Sequence, residues 1–113
     1  MEIEIKVEGN DAVKDAEALK NFIEERQAPG LQEIQMTRAA HAEGEQGLGT
    51  FLGGLLLKLT GSDEIIKGIV SLINKFAEQH DKRIFLGNGI IIPPNTMTPQ
   101  QILDMVALLK KQA

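Results

Sequence analysis

Residues 47–73, GLGTFLGGLLLKLTGSDEIIKGIVSLI, constrain this chain more than any other stretch. Four glycines occupy the first eight positions, and two aliphatic blocks follow: Phe51, Leu52, Leu55, Leu56, Leu57 and Leu59, then Ile65, Ile66, Ile69, Val70, Leu72 and Ile73. Such a run must be buried in a core, a partner or a lipid surface, because exposed aliphatic surface is unfavourable in water. The pattern predicts a Gly-rich apolar helical segment over 50–79, with helices at about 50–60 and 63–79. Thr60-Gly61 separates them, Ser62 caps the second, and Asp63 and Glu64 suit its positive N-terminal end. Gly49 and Gly53 fall four apart on one face of the first predicted helix and are read as close-packing glycines.

The flanking segments supply a sheet and further helices. Residues 2–8 alternate, with Ile3, Ile5 and Val7 on one face and Glu2, Glu4, Lys6 and Glu8 on the other, which is a strand with one dry side. Asn10 or Asp11 is positioned to cap a helix whose Val13, Ala16, Leu19, Phe22 and Ile23 recur at helical spacing. Ala28-Pro29-Gly30 stops it, and LQEIQMT (31–37) returns as a strand, so the first 37 residues read as a βαβ unit. KRIFL (82–86) and GIIIP (89–93) flank Gly87-Asn88 as a tight hairpin. Thr98, Pro99 and Gln101 form the start of a last helix, with Ile102, Met105, Val106 and Leu109 as its buried stripe. The expected fold is a single α+β domain over 1–113. It is a two-layer sandwich in the order β-α-β-α-α-β-β-α, with a small four-stranded sheet and helices mainly on one face.

Composition narrows the function. At 113 residues the chain can bury a core without staples, and the absence of Cys removes disulfides, thiolate nucleophiles and thiolate metal sites. A net charge of −4, with 12 basic residues scattered among 16 acids, argues against nucleic acid, which needs clustered Lys and Arg. The alternating start MEIEIKVEG has neither the basic start nor the apolar run of a signal peptide. Lys58, Asp63, Glu64 and Lys67 interrupt 47–73, making it a poor spanning segment. The expected location is the cytoplasm.

Catalytic and metal-binding readings find little to use. His41 and His80 are the only histidines, and they stand 39 positions apart with no helical His pair or Cys beside them. An enzyme would have to assemble a site from His41, Glu43, Glu45 and His80. Ser62 is accounted for as a cap, and Ser71, the only other serine, has no His near it in sequence. The glycines at 47, 49, 53 and 54 lack the Gly-Lys-Ser/Thr ending of a phosphate loop. The expectation is a chain that is not an enzyme and holds neither cofactor nor metal.

What remains is a surface and a loop. Residues 38–49 form a long segment of small and polar residues, expected to be a flexible loop, and Arg38 at its mouth is a candidate cleavage point for a trypsin-like protease. The candidate interaction surface combines this loop with Phe51, Leu52, Leu55 and Leu56 at the start of the predicted helix. Burying such side chains contributes about 1.5–3 kcal/mol each.

In order and pattern the chain resembles the effector-associated constant component family of bacterial conflict systems. The resemblance runs through the strand MEIEIKVEG, the helix NDAVKDAEALKNFIEER, the strand LQEIQM, the segment GLGTFLGGLLLKL, the helix SDEIIKGIVSLINKFAEQ, the strand pair KRIFLGNGIII and the closing helix. The long charged turn usual between the paired strands is missing here. The resemblance implies a non-catalytic accessory or adaptor protein of a defence or signalling system, working with an effector such as a trypsin-like or caspase-like protease or with its own copies. The alternative is a latent membrane-active protein, in which cleavage within 38–49 releases the glycine-spaced apolar segment into lipid.

Overall fold

The computed structural model describes residues 1–9, 11–38 and 51–112. Its elements are β1 (Glu2–Gly9), α1 (Ala12–Glu25), β2 (Leu31–Arg38), β3 (Phe51–Leu59), α2 (Asp63–His80), β4 (Ile84–Leu86), β5 (Ile90–Ile92) and α3 (Pro99–Gln112). The five strands form one sheet in the order β2-β3-β1-β4-β5, with every neighbouring pair antiparallel. The class is α+β, as expected, but the sheet has five strands rather than four and the element order differs.

The difference lies in residues 51–59, which form an interior strand and not a helix. β3 slots between β1 and β2, pairing Ile5 opposite Leu55 on one side and Met36 opposite Leu55 on the other. The first 38 residues therefore form a split βαβ unit, in which β1 and β2 run the same way without touching along their edges. The physical reason is backbone pairing. An unfilled slot would leave the facing edges of β1 and β2 without partners, and an extended segment satisfies both at once. Gly53-Gly54 also weakens any helix here, by about 1 kcal/mol per glycine relative to Ala.

The side-chain period of two then sorts the residues. Ile3, Ile5 and Val7 of β1, Leu55, Leu57 and Leu59 of β3, Ile84 and Leu86 of β4, and Ile90 and Ile92 of β5 all point into the core beneath the helices. α1 contributes Ala16, Leu19, Phe22 and Ile23, and α2 contributes Ile66, Ile69, Val70, Ile73, Phe76 and Ala77. The ring of Phe22 meets that of Phe76 edge-on at 5.5 Å. Val13, expected on the buried stripe, is exposed, and Ala12 takes its place. The cause is β3: a Cβ on Gly53 would fall 2.2 Å from the Ala12 carbonyl oxygen, so α1 presents its smallest residues there and lies directly on the strand backbone. Gly53 is thus a point of close approach between a strand and a helix, not between two helices.

Helix ends follow local chemistry. Ser62 accepts a hydrogen bond from the Ile65 amide at 3.4 Å. At α3 the capping box closes reciprocally, with the Gln101 amide donating to Thr98 Oγ1 at 3.1 Å and the Thr98 amide donating to Gln101 Oε1 at 2.8 Å. The β4–β5 connection spans Gly87, Asn88 and Gly89, one residue longer than the expected two-residue turn. Positive φ at Gly87 (52°) and Gly89 (83°) makes this loop accessible. Asn74 of α2 is buried and ties down the link from β5 to α3. Its Nδ2 donates to the carbonyls of Pro93 and Asn95, and its Oδ1 accepts from the Met97 amide.

Candidate functional surface

The antiparallel register assigns the remaining side chains of the sheet to the face opposite the helices. Three cross-strand rows run over it. Glu2, Lys58 and Glu33 stand in line, with Lys58 Nζ 3.9 Å from Glu2 and 3.3 Å from Glu33. Glu4, Leu56 and Gln35 form the second row. The third runs Ile91, Phe85, Lys6, Gly54, Thr37. Lys6 Nζ reaches back to Glu4 at 3.2 Å, and the Arg83 guanidinium lies 5.9 Å from the centre of the Phe85 ring. At Gly54 the space a Cβ would need is taken by Thr37 Oγ1, 2.4 Å away, so that row is flat at its centre.

This face is therefore charged at one end and carries two apolar islands, half-buried Leu56 and the Phe85–Ile91 pair, with Ile91 45% exposed. Lys58 pairs across strands with Glu2 and Glu33, and Lys6 pairs along β1 with Glu4, so the lysines of this face are matched by acids beside the islands. Side chains held on strands of one continuous sheet are pre-positioned, which lowers the ordering cost of binding.

The expected interaction residues separate on this frame. Leu55 is fully buried, facing Ile5 and Met36, and belongs to the core. Leu56, its neighbour, is on the open face. Helical spacing had grouped the two, and the strand period of two puts them on opposite sides of the sheet. Phe51 and Leu52 lie opposite Gly9 and Glu8 in the β1–β3 register. Arg38 is the last residue of β2, its backbone opposite Gly53. Gly49, His41, Glu43, Glu45 and nearly all of the 38–49 loop lie outside the described residues. His80 ends α2, its ring stacked on Phe76 at 4.1 Å.

Sequence reasoning missed Phe85 and Ile91 as surface residues. A signal was available: in IFL and III the middle residue of each three-residue strand must point away from its neighbours. Among the described residues, no three His, Asp or Glu side chains come together as a metal site. No helix among them is long and apolar enough to cross a membrane. The apolar stretch assigned to lipid in the membrane-active reading is, over 51–59, an interior strand of the sheet, with Leu55, Leu57 and Leu59 in the core. No model of a known protein family matches the chain, and no curated protein matches it.

Proposed function

We propose that this chain is a non-catalytic accessory protein of a bacterial defence or signalling system, and that it binds an effector such as a trypsin-like or caspase-like protease through the open face of its sheet. One observation carries the reading. The helices gather on one side, and the other side presents Leu56, Phe85 and Ile91 among ion pairs of the sheet surface. Apolar islands ringed by polar groups have the anatomy of a protein-binding surface, where a desolvated centre supplies affinity and the rim supplies orientation. The defence context and the class of effector come from the family resemblance alone.

The test is binding to purified trypsin-like and caspase-like effector proteases, measured by interferometry. The paired substitution Leu56→Lys and Ile91→Lys removes both islands from the open face and is expected to weaken binding at least tenfold. Leu103→Lys, on the outer side of α3, is expected to leave it unchanged. Equal affinity for all three proteins would remove the open face from the interface, and an absence of any protease binding would remove the accessory role.

A further inference from the structure

Among the described residues, β2 pairs with β3 along one edge, and its other edge is unpaired over eight residues. Strand edges that must stay alone are usually guarded by Pro, inward charge or extreme shortness. β2 carries no Pro, and its only irregularity is the register shift between Leu31 and Glu33 at its start. Its sequence, LQEIQMTR, holds one acid and one base, so the strand is neutral within a chain of net charge −4.

We infer that this edge pairs antiparallel with the same edge of a second copy, about a two-fold axis at Gln35. Two features of the strand point to a second copy rather than to an arbitrary extended peptide. The first is the register. Centred on Gln35, it sets Ile34 opposite Met36 of the second copy, twice, on the helix-bearing side. It also sets Glu33 opposite Thr37 on the other side, and no like charges face each other. The second is shape. Met36 projects 38% exposed, and beside Ile34 a groove of about 480 Å³ runs between α1 and β2, with Ile23, Ala28, Leu31 and Ile34 among its lining. The two-fold directs each Met36 toward the groove of the other copy. The product is a continuous ten-stranded sheet with all helices on one side, whose two open faces adjoin as one surface. The interface is isologous, as a closed dimer requires. This inference goes beyond the accessory reading and does not depend on the effector.

The chain has no Cys, so single cysteines report the register directly. Directly opposed residues of an antiparallel pair lie about 4.5–5.5 Å apart at Cα, within disulfide range. With oxidised glutathione as the oxidant, Gln35→Cys alone is expected to give a covalent dimer. Glu33→Cys and Thr37→Cys should cross-link when mixed and not singly. Sedimentation of the unmodified full chain should show a concentration-dependent dimer. Gln35→Pro should raise its dissociation constant at least tenfold while the circular dichroism of the monomer is retained, and Met36→Lys should do the same should the proline disturb folding. A monomer at every concentration up to several hundred micromolar would overturn the inference. So would a dimer indifferent to Met36→Lys, or cross-linking through Ile91→Cys on the opposite edge as efficient as through Gln35→Cys. Since no effector is present in these assays, their failure leaves the accessory reading standing.

Discussion

Asn74 offers the sharpest test of how this fold is held. Its side chain is 5% exposed, donates to the Pro93 carbonyl at 3.4 Å and the Asn95 carbonyl at 2.9 Å, and accepts from the Met97 amide at 3.0 Å. Asn74→Ala deletes all three hydrogen bonds. Met97 is itself buried, so its amide loses its partner without easy access to water, at about 1–3 kcal/mol. Two weakened carbonyl contacts and a small void bring the expected loss to about 2–4 kcal/mol. Asn74→Asp has nearly the same shape and retains the acceptor for Met97, but it turns the donor into an oxygen facing two carbonyls. Burial and these carbonyls raise the introduced carboxyl's folded-state pKa above its unfolded value of about 3.9. Between those two values the folded protein holds a proton that the unfolded chain has released. The variant therefore loses stability relative to the parent as pH rises through that window, by about 1.4 kcal/mol per unit of separation. Below the unfolded value the protonated acid donates to Asn95 and most of the loss is recovered. Urea titrations of parent and variants at pH 3.5, 5 and 7 read this directly. A parent-to-Asp difference that is flat with pH, or an Ala variant within 0.5 kcal/mol of the parent, would refute the claim that Asn74 secures the β5–α3 link.

Three further outcomes follow from the packing. Gly53→Ala sets a methyl against the Ala12 backbone and should destabilise by about 1–3 kcal/mol, seen as a lower urea midpoint with unchanged slope; a neutral effect would mean α1 does not press on β3. Leu55→Lys should abolish cooperative unfolding while Leu56→Lys, one position on, keeps it, as scanning calorimetry will show, and the reverse result would invert the faces of β3. Thr98→Ala breaks one half of the α3 capping box and should cost about 0.5–2 kcal/mol, with faster amide exchange confined to the first turn of α3; uniform exchange changes would argue against a local cap.

Local chemistry was enough wherever an element carries its own instructions. The alternation of Ile3, Ile5 and Val7 with charged residues defines β1, Ser62 with Asp63 and Glu64 starts α2, and Thr98-Pro99 with Gln101 starts α3. These signals act between residues one to four apart, so they can be read from the sequence without the rest of the molecule. The alternating strand pattern of LQEIQMT likewise identifies β2, though not its neighbour.

Residues 51–59 could not be read that way. Leucine favours a helix by intrinsic propensity, and the same leucines satisfy a helical or a two-residue period depending on which are counted. What decided the matter was the slot between β1 and β2, two strands separated in sequence by a whole helix, whose inner edges needed one extended partner. That choice then assigned Leu55 to the core and Leu56 to the surface, displaced Val13 in favour of Ala12 over Gly53, and made β2 an edge strand. Local sequence is enough to mark the alternation of β1 and β2 and the capped starts of α2 and α3. Tertiary structure alone decided which edges pair and therefore which side chains face outward, because backbone pairing between distant segments leaves no local mark on either one.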